Sequence, residues 1–425
     1  MNTLVEWKNS KGKKPLLVKG ARQIGKTFII REFGKTNYKN IVELNFFSNA
    51  DHRDLFSGNL DANTIYSKLS LRHDGVVFDK GTLLFLDEIQ MCGEARTALK
   101  FLAEDDRCDI VASGSMLGIA YKETASIPVG YETQVEMFAL DFEEFLWAKG
   151  LKETNLKIFR EHYHTRMKLD AFFNDTMLRN LREYMIIGGM PAVVNTFLET
   201  GNYSEVHKVQ TSIIDSYLDD IAKYAPTPEK PKARNCYLSL PKQLAKENKK
   251  FKYGVIEKRG TARKFENSIE WLRDAGLVKL CKNVSVPTFP LIAYTQPDYF
   301  KVYGTDIGIV CAMFGFELKK EIFENTLKGP MKGGIYENLI ADILLKKGLP
   351  LYYYKPGENK QEIEFLYTQD SNIIPIEVKA GNSRTLSLNE YVERYNPPYA
   401  LKLISGNIGV SESKITLPHY MAMFL

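Results

Sequence analysis

Cysteine is scarce in this sequence. Its five residues, at 92, 108, 236, 281 and 311, form no Cys-x-x-Cys pair. The odd count and the spacing exclude a zinc knuckle and a disulfide framework, and point to reduced thiols in a cytoplasmic compartment. Long apolar runs are missing as well. The longest, such as Met185 to Val194, are broken by glycine and proline, so no segment approaches a membrane span. The N-terminus carries Trp7, Lys8 and a basic stretch from Lys11 to Lys14 without an apolar h-region, so nothing there marks export. Repeats and low-complexity tracts are also absent. What is present is 44% apolar and 26% charged residues, the balance of a soluble globular protein. At 425 residues the chain exceeds one ordinary core, and two to four domains are expected.

Charge is uneven along the chain. Between Lys242 and Lys264 stand nine basic residues, among them Arg259, Arg263 and Lys264, against Glu247 and Glu257. The local net is +7, more than the +5 of the whole chain. A field of that size attracts polyanions, so nucleic acid is a candidate partner; a solvated helix face is the competing reading.

Lys14–Val18, Ile41–Phe46, Thr82–Leu86 and Ile110–Ala112 read as short strands, and Gly25–Gly34 as a helix that begins inside a glycine turn. The run at Thr82–Leu86 is continuously apolar, as in a parallel strand covered on both faces. Strands alternating with helical stretches predict an α/β parallel sheet. From Phe142 to Tyr224 the spacing is helical. Pro226-Thr-Pro228-Glu-Lys-Pro231 predicts a linker. Beyond it, helices over Leu238–Glu247 and Thr261–Ala275, capped by Gly276 and followed by a strand at Leu277–Leu280, suit a winged helix. A last α/β unit starts near Gly333, with a helix over Ile335–Lys346 and strands at Leu351–Tyr354, Glu362–Tyr367 and Ile373–Val378.

Gly20-Ala21-Arg22-Gln23-Ile24-Gly25-Lys26-Thr27 matches the P-loop pattern G-x-x-x-x-G-K-T/S at every fixed position, between a strand and a helix. Glycines let the backbone curl so that N–H groups face phosphate oxygens, and the helix N-terminus adds partial positive charge. Lys26 is expected to reach the β- and γ-phosphates of ATP, and Thr27 to ligate Mg2+. Leu83-Leu-Phe-Leu-Asp87-Glu88 is an apolar strand ending in two acids. Asp87 fits the second magnesium ligand, and Glu88 the general base that activates water. Ser113, in Ile110-Val-Ala-Ser113-Gly-Ser115, places a hydroxyl near the γ-phosphate or simply makes a turn.

These residues carry a family resemblance. LLVKGARQIGKT, LLFLDEIQ, VASGS and FALDFEEFL, then YMIIGGMPAVV, SYLDDIAKY and IPIEVKAG, resemble the AAA-type ATPases of bacteria and archaea that carry a C-terminal DUF4143 region. The resemblance covers nearly the whole chain. It implies an AAA-type P-loop ATPase domain over 1–165, a helical segment and linker over 166–230, a winged helix over 231–305, and a restriction-endonuclease-like α/β domain over 306–425. Many members carry a basic residue after the glycine that follows the serine turn. Here Tyr131 follows Pro128-Val129-Gly130, so the resemblance implies no arginine finger from that place.

In the last domain Glu377 and Lys379 share one face of a strand, opposite Ile374, Ile376 and Val378. Glu364 on the preceding strand and Glu337 on the helix could bring further carboxylates. The set resembles the PD-(D/E)xK nuclease constellation, in which carboxylates hold magnesium and a lysine stabilises charge at the scissile phosphate. Glu364 replaces the usual aspartate, and a cross-strand salt bridge in an inactive remnant is the alternative. His162 and His164 lie two apart on a helix, on nearly opposite faces, and should not chelate one metal. Three functions stay open: an ATPase controlling a winged helix on nucleic acid, a nucleotide switch binding a protein partner, and an ATP-gated nuclease. Oligomerisation stays open with them.

Overall fold

The computed structural model describes residues 1–116, 130–357, 362–381 and 386–425. They separate into two compact units. One comprises Met1–Phe138 with Asp274–Gly276; the other comprises Ala139–Arg273 and Leu277–Leu425. The first division falls at 138, before the boundary expected at 165. The capped helix Phe142–Ala148, which follows it, packs with the helices of the second unit: Phe142 and Phe145 both meet the ring of Tyr184.

The first unit is a parallel sheet of β1 (Leu16–Gly20), β2 (Asn40–Asn45), β3 (Thr82–Asp87), β4 (Asp109–Ser115) and β5 (Thr133–Glu136), in the order β2-β3-β4-β1-β5. Helices α1 (Asn2–Asn9), α2 (Lys26–Asn37), α3 (Ala62–Arg72) and α4 (Gly93–Asp105) flank it. β3 is buried throughout because its side chains feed two cores. Leu84 and Leu86 join the core under α3 and α4, whereas Leu83 and Phe85 join Ile30 and Phe33 of α2. That two-sided burial is why the run reads as continuous rather than alternating.

In the second unit, helices run from Phe142 to Tyr224. The proline-rich stretch is shorter than a linker: Glu229 N–H closes a turn on Pro226 O, and a helix starts at Lys230 with Pro231 in its first turn. Helices Lys230–Leu238, Leu240–Leu244 and Ala262–Asp274 lead to an antiparallel pair, β6 (Val278–Val284) and β7 (Thr295–Gly304). Gly276, at φ +73°, ends the third helix, and Leu277 N–H returns to Leu272 O at 3.0 Å. Helix Gly329–Lys346 precedes β8 (Tyr352–Tyr354), β9 (Ile363–Gln369), β10 (Asn372–Lys379), β11 (Ala400–Ile404), β12 (Gly409–Ser411) and β13 (Lys414–Pro418). β6 pairs with β8, so the hairpin and the C-terminal strands make one eight-stranded mixed sheet, β12-β13-β11-β10-β9-β8-β6-β7. The 305/306 boundary drawn from sequence falls inside this continuous hydrogen-bonded layer. The five cysteines are buried and form no disulfide. Among the described residues no helix is long and apolar enough to cross a membrane.

Candidate nucleotide site

β1 ends at Gly20 and α2 begins at Lys26, so the loop between them opens on a helix N-terminus. Gly20 is sterically required: a Cβ there would lie 2.3 Å from Met137 O and 2.5 Å from Ile24 Cδ1. Gly25 takes φ +90°, and Gln23 takes φ +64° without being glycine. A left-handed Gln costs about 1 kcal/mol, held in place by the loop around it. The Lys26 side chain, only 6% exposed, turns back on the loop and donates to Gly20 O at 3.1 Å and Ala21 O at 2.7 Å. Burial lowers its pKa to about 8, while Glu88 and Asp87 pull the other way.

Asp87 is the hub of the site and is almost fully buried. Thr27 Oγ1 donates to its two oxygens at 3.2 and 3.1 Å. Asn45 Nδ2, at the tip of β2 and in register with Asp87, donates at 2.8 Å. The Ser113 hydroxyl, at the tip of β4, also donates to Asp87. The parallel register thus brings the ends of three strands and the start of α2 to one carboxylate, at the C-terminal edge of the sheet where α/β folds bind ligands. Ser113 stands against Asp87, and its hydroxyl hydrogen goes to that carboxylate. Thr27 and Asp87 supply hard oxygen donors side by side, a donor set suited to magnesium that also keeps substrate and water ligands.

Glu88 adopts φ +55°, ψ +46°, a left-handed conformation that turns the chain immediately after the strand. Gln90 Nε2 donates to Glu88 Oε2 at 2.5 Å and lies 3.4 Å from Ser115 Oγ on β4. A cavity of about 520 Å³ opens here, lined by Arg22, Gln23, Lys26, Thr27, Phe47 and Glu88 among others. That volume lies within the usual range for small-molecule sites. Phe28 and Phe47 also line it and are exposed. Arg31 is held by a bidentate pair of 2.7 Å bonds to Glu43. Asn45 and Gln90 were not singled out from sequence. Their signal was position alone, at the end of a strand and two residues past the acidic pair. Tyr131, expected where relatives carry a basic residue, has Lys100 Nζ 5.1 Å from its ring centroid; Pro128 and Val129 lie outside the described residues.

The C-terminal residues come together around two lysines. Lys379 Nζ lies 3.4 Å from Glu364 and 3.0 Å from Glu377. Glu337 pairs instead with the fully buried Lys301, at 3.1 Å, and accepts from Tyr303 OH at 3.0 Å. Lys301 also pairs with Glu362. Burial pushes Glu364 up to about 8 against the pull of Lys379. Two ammonium groups therefore sit among the carboxylates, and among the described residues no three acidic, His or Cys side chains converge as a metal cage. The charges of Lys379, Glu337 and Glu377 all act on Glu364, so the four predicted residues lie near one another, with Lys301 added to them. Lys301 and Tyr303 of β7, and Glu362 just before β9, escaped the sequence reading because they meet only across the mixed sheet. His162 binds Met167 O and His164 packs beside Tyr163.

The basic stretch is less positive at its surface than its composition. Lys249 is buried, donating to the carbonyls of Lys246 and Pro330, and Lys246 donates to Gln243 and to Lys250 O. Lys264 pairs with Glu257 at 2.5 Å. Arg259 and Arg263 are exposed, Arg259 at φ +66°.

Residues 12–146 match the AAA domain family, residues 178–320 a domain of unknown function, DUF8612, and residues 332–417 a domain of unknown function, DUF4143. No curated protein matches the chain. Among solved structures, the Walker-type ATPase of Pyrococcus abyssi is 12% identical, with a TM-score of 0.42 over 74% of this chain and 95% of that one. The Orc1 protein of Aeropyrum pernix in complex with DNA is 12% identical, with a TM-score of 0.29 over 77% and 92%. AMPPCP-bound DnaA of Aquifex aeolicus is 17% identical, with a TM-score of 0.28 over 64% and 86%. Likenesses at this level carry no argument about function. The ordered family matches do show the chain's make-up: an AAA domain over residues 12–146, followed by a DUF4143 domain over residues 332–417.

Proposed function

We propose that this chain is a magnesium-dependent ATPase whose nucleotide state governs contact between residues 231–305, acting as a winged helix, and nucleic acid. The observation that carries the catalytic half is the convergence of Thr27, Asn45 and Ser113 on Asp87 beside a cavity lined by Lys26 and Glu88. In this reading the N–H groups of residues 21–27 bind the phosphates, and Lys26 leaves its loop carbonyls to meet them. Asn45 and Ser113 keep the Asp87 carboxylate turned toward Thr27. Glu88, steadied by Gln90, takes a proton from the attacking water. Magnesium held by Thr27 and Asp87 would neutralise charge on the β- and γ-phosphates.

The nucleic-acid half is supported by exposed Arg259 and Arg263 at the start of helix Ala262–Asp274. A protein-directed switch is the second reading, favoured by the exposed Glu266 on that helix and by the pairing of Lys264 with Glu257. Binding of labelled duplex and single-stranded DNA across a salt series separates the two. The nucleic-acid reading expects retention at low salt, and a salt slope that falls by about one in Arg263→Ala. Absence of retention at low salt removes it. For the C-terminal cluster, the lysine-filled geometry favours the charge-compensated remnant over an ATP-gated nuclease.

A further inference from the structure

A second cavity, of about 250 Å³, lies in the mixed sheet where β6, β7 and β8 meet. Asn283 of β6 pairs with Gln296 of β7 on one side and Tyr353 of β8 on the other, and the β6–β7 register shifts between Lys282 and Asn283. Such an irregularity re-aims side chains. Lys250, Lys355, Asn248 and Tyr299 line it together with Pro356 and Gly357, and among the described residues no carboxylate does.

Hydrogen bonding fixes which ends of the amides stay available. Lys355 N–H donates to Asn283 Oδ1 at 2.9 Å, so Asn283 must present its NH2 to Gln296, whose Oε1 accepts it at 2.6 Å. Asn248 Oδ1 likewise accepts from Lys250 N–H at 3.0 Å. Both Gln296 and Asn248 therefore have their acceptor oxygens engaged, which leaves their NH2 groups as donors. Lys250 Nζ sits 3.4 Å from the Tyr299 ring centroid, held by cation–π attraction at the rim. Lys355 has Glu362 at 3.8 Å, a loose contact, because Glu362 is drawn to buried Lys301. Burial keeps the Tyr353 phenol protonated by raising its pKa. Ammonium groups and amide donors thus line this space.

We infer that this cavity binds a phosphate group, through Lys250, Lys355, Gln296 and Asn248, as a site separate from the P-loop. The phosphate comes either from a free small phosphate or from the phosphorylated end of a nucleic-acid strand. The inference does not rest on ATP binding. Its test uses the full chain carrying Lys26→Ala, so that the P-loop contributes less to the signal. Inorganic phosphate, a 5′-phosphorylated oligonucleotide and the same oligonucleotide without the phosphate are titrated by calorimetry. The expected result is saturable binding of a phosphorylated ligand that weakens at least about tenfold in Lys355→Met and in Gln296→Glu, with unchanged melting temperature. Binding of inorganic phosphate identifies a small free ligand; binding of the phosphorylated oligonucleotide alone identifies a strand end. No saturable binding, or binding that both cavity variants leave unchanged, overturns the inference. ATP binding by the cavity variants with Lys26 intact is expected to stay as in the wild type, so failure here leaves the P-loop reading standing.

Discussion

Thr27 Oγ1 stands 3.1 Å from Asp87 Oδ2, although sixty residues separate the two. Neither side chain gains much from that contact alone. Its value is that a hydroxyl and a carboxylate are presented together at the mouth of the phosphate loop. Asp87→Asn keeps the shape and removes the charge. In that variant ATP hydrolysis should fall by at least about 100-fold. ATP affinity, which should drop in the wild type when magnesium is chelated, should respond little in the variant. Equal chelator sensitivity in both would show that Asp87 is not the metal ligand.

Gln90 is the positioning partner of Glu88. Its amide donates to the carboxylate and fixes where that carboxylate points. Gln90→Ala should therefore reduce turnover by about tenfold with little change in ATP affinity. A normal kcat in that variant would mean that the contact has no part in catalysis.

Lys26 sets a pH dependence whose sign can be worked out. Its folded pKa is about 8, below the ordinary 10.5 of the unfolded chain. Between those values the unfolded state binds more protons, so its contribution to stability rises with pH across that window. Below about pH 8 the buried ammonium is a liability on the order of 3 kcal/mol. Lys26→Met should thus be more stable than the wild type at pH 7 without nucleotide, and urea titrations should find the gap closing towards pH 10.5. ATP affinity of the wild type should decline as pH rises through 8, because the apo lysine must regain a proton to meet the phosphates.

The P-loop, Asp87 and Glu88 were legible in the sequence because local chemistry dictates them: glycines where the backbone must curl, and acids directly after a continuous apolar strand. Asn45 and Ser113 depend on parallel register, which only the folded sheet sets. The C-terminal cluster shows the limit of strand alternation. Glu377 and Lys379 do share a face, yet Glu337 turns to Lys301, which arrives from a hairpin assigned by sequence to another domain. Likewise, the +7 of residues 242–264 overstated the surface field, since Lys249 is buried on backbone carbonyls.

Lys301 holds Glu337 and Glu362 inside the mixed sheet. Lys301→Met leaves buried Glu337 and half-buried Glu362 without their shared cation and should cost about 3–5 kcal/mol in urea unfolding. Adding Glu337→Gln and Glu362→Gln should restore much of that loss. A silent Lys301→Met would contradict the charge-compensation account.

The most direct test of the central claim is ATP turnover by the purified full chain with magnesium, with and without duplex and single-stranded DNA, beside Lys26→Ala and Glu88→Gln. The account predicts hydrolysis stimulated by DNA and lost in both variants, with Glu88→Gln still binding ATP. Absence of ATP binding by the wild type, or hydrolysis that survives in Glu88→Gln, would contradict it.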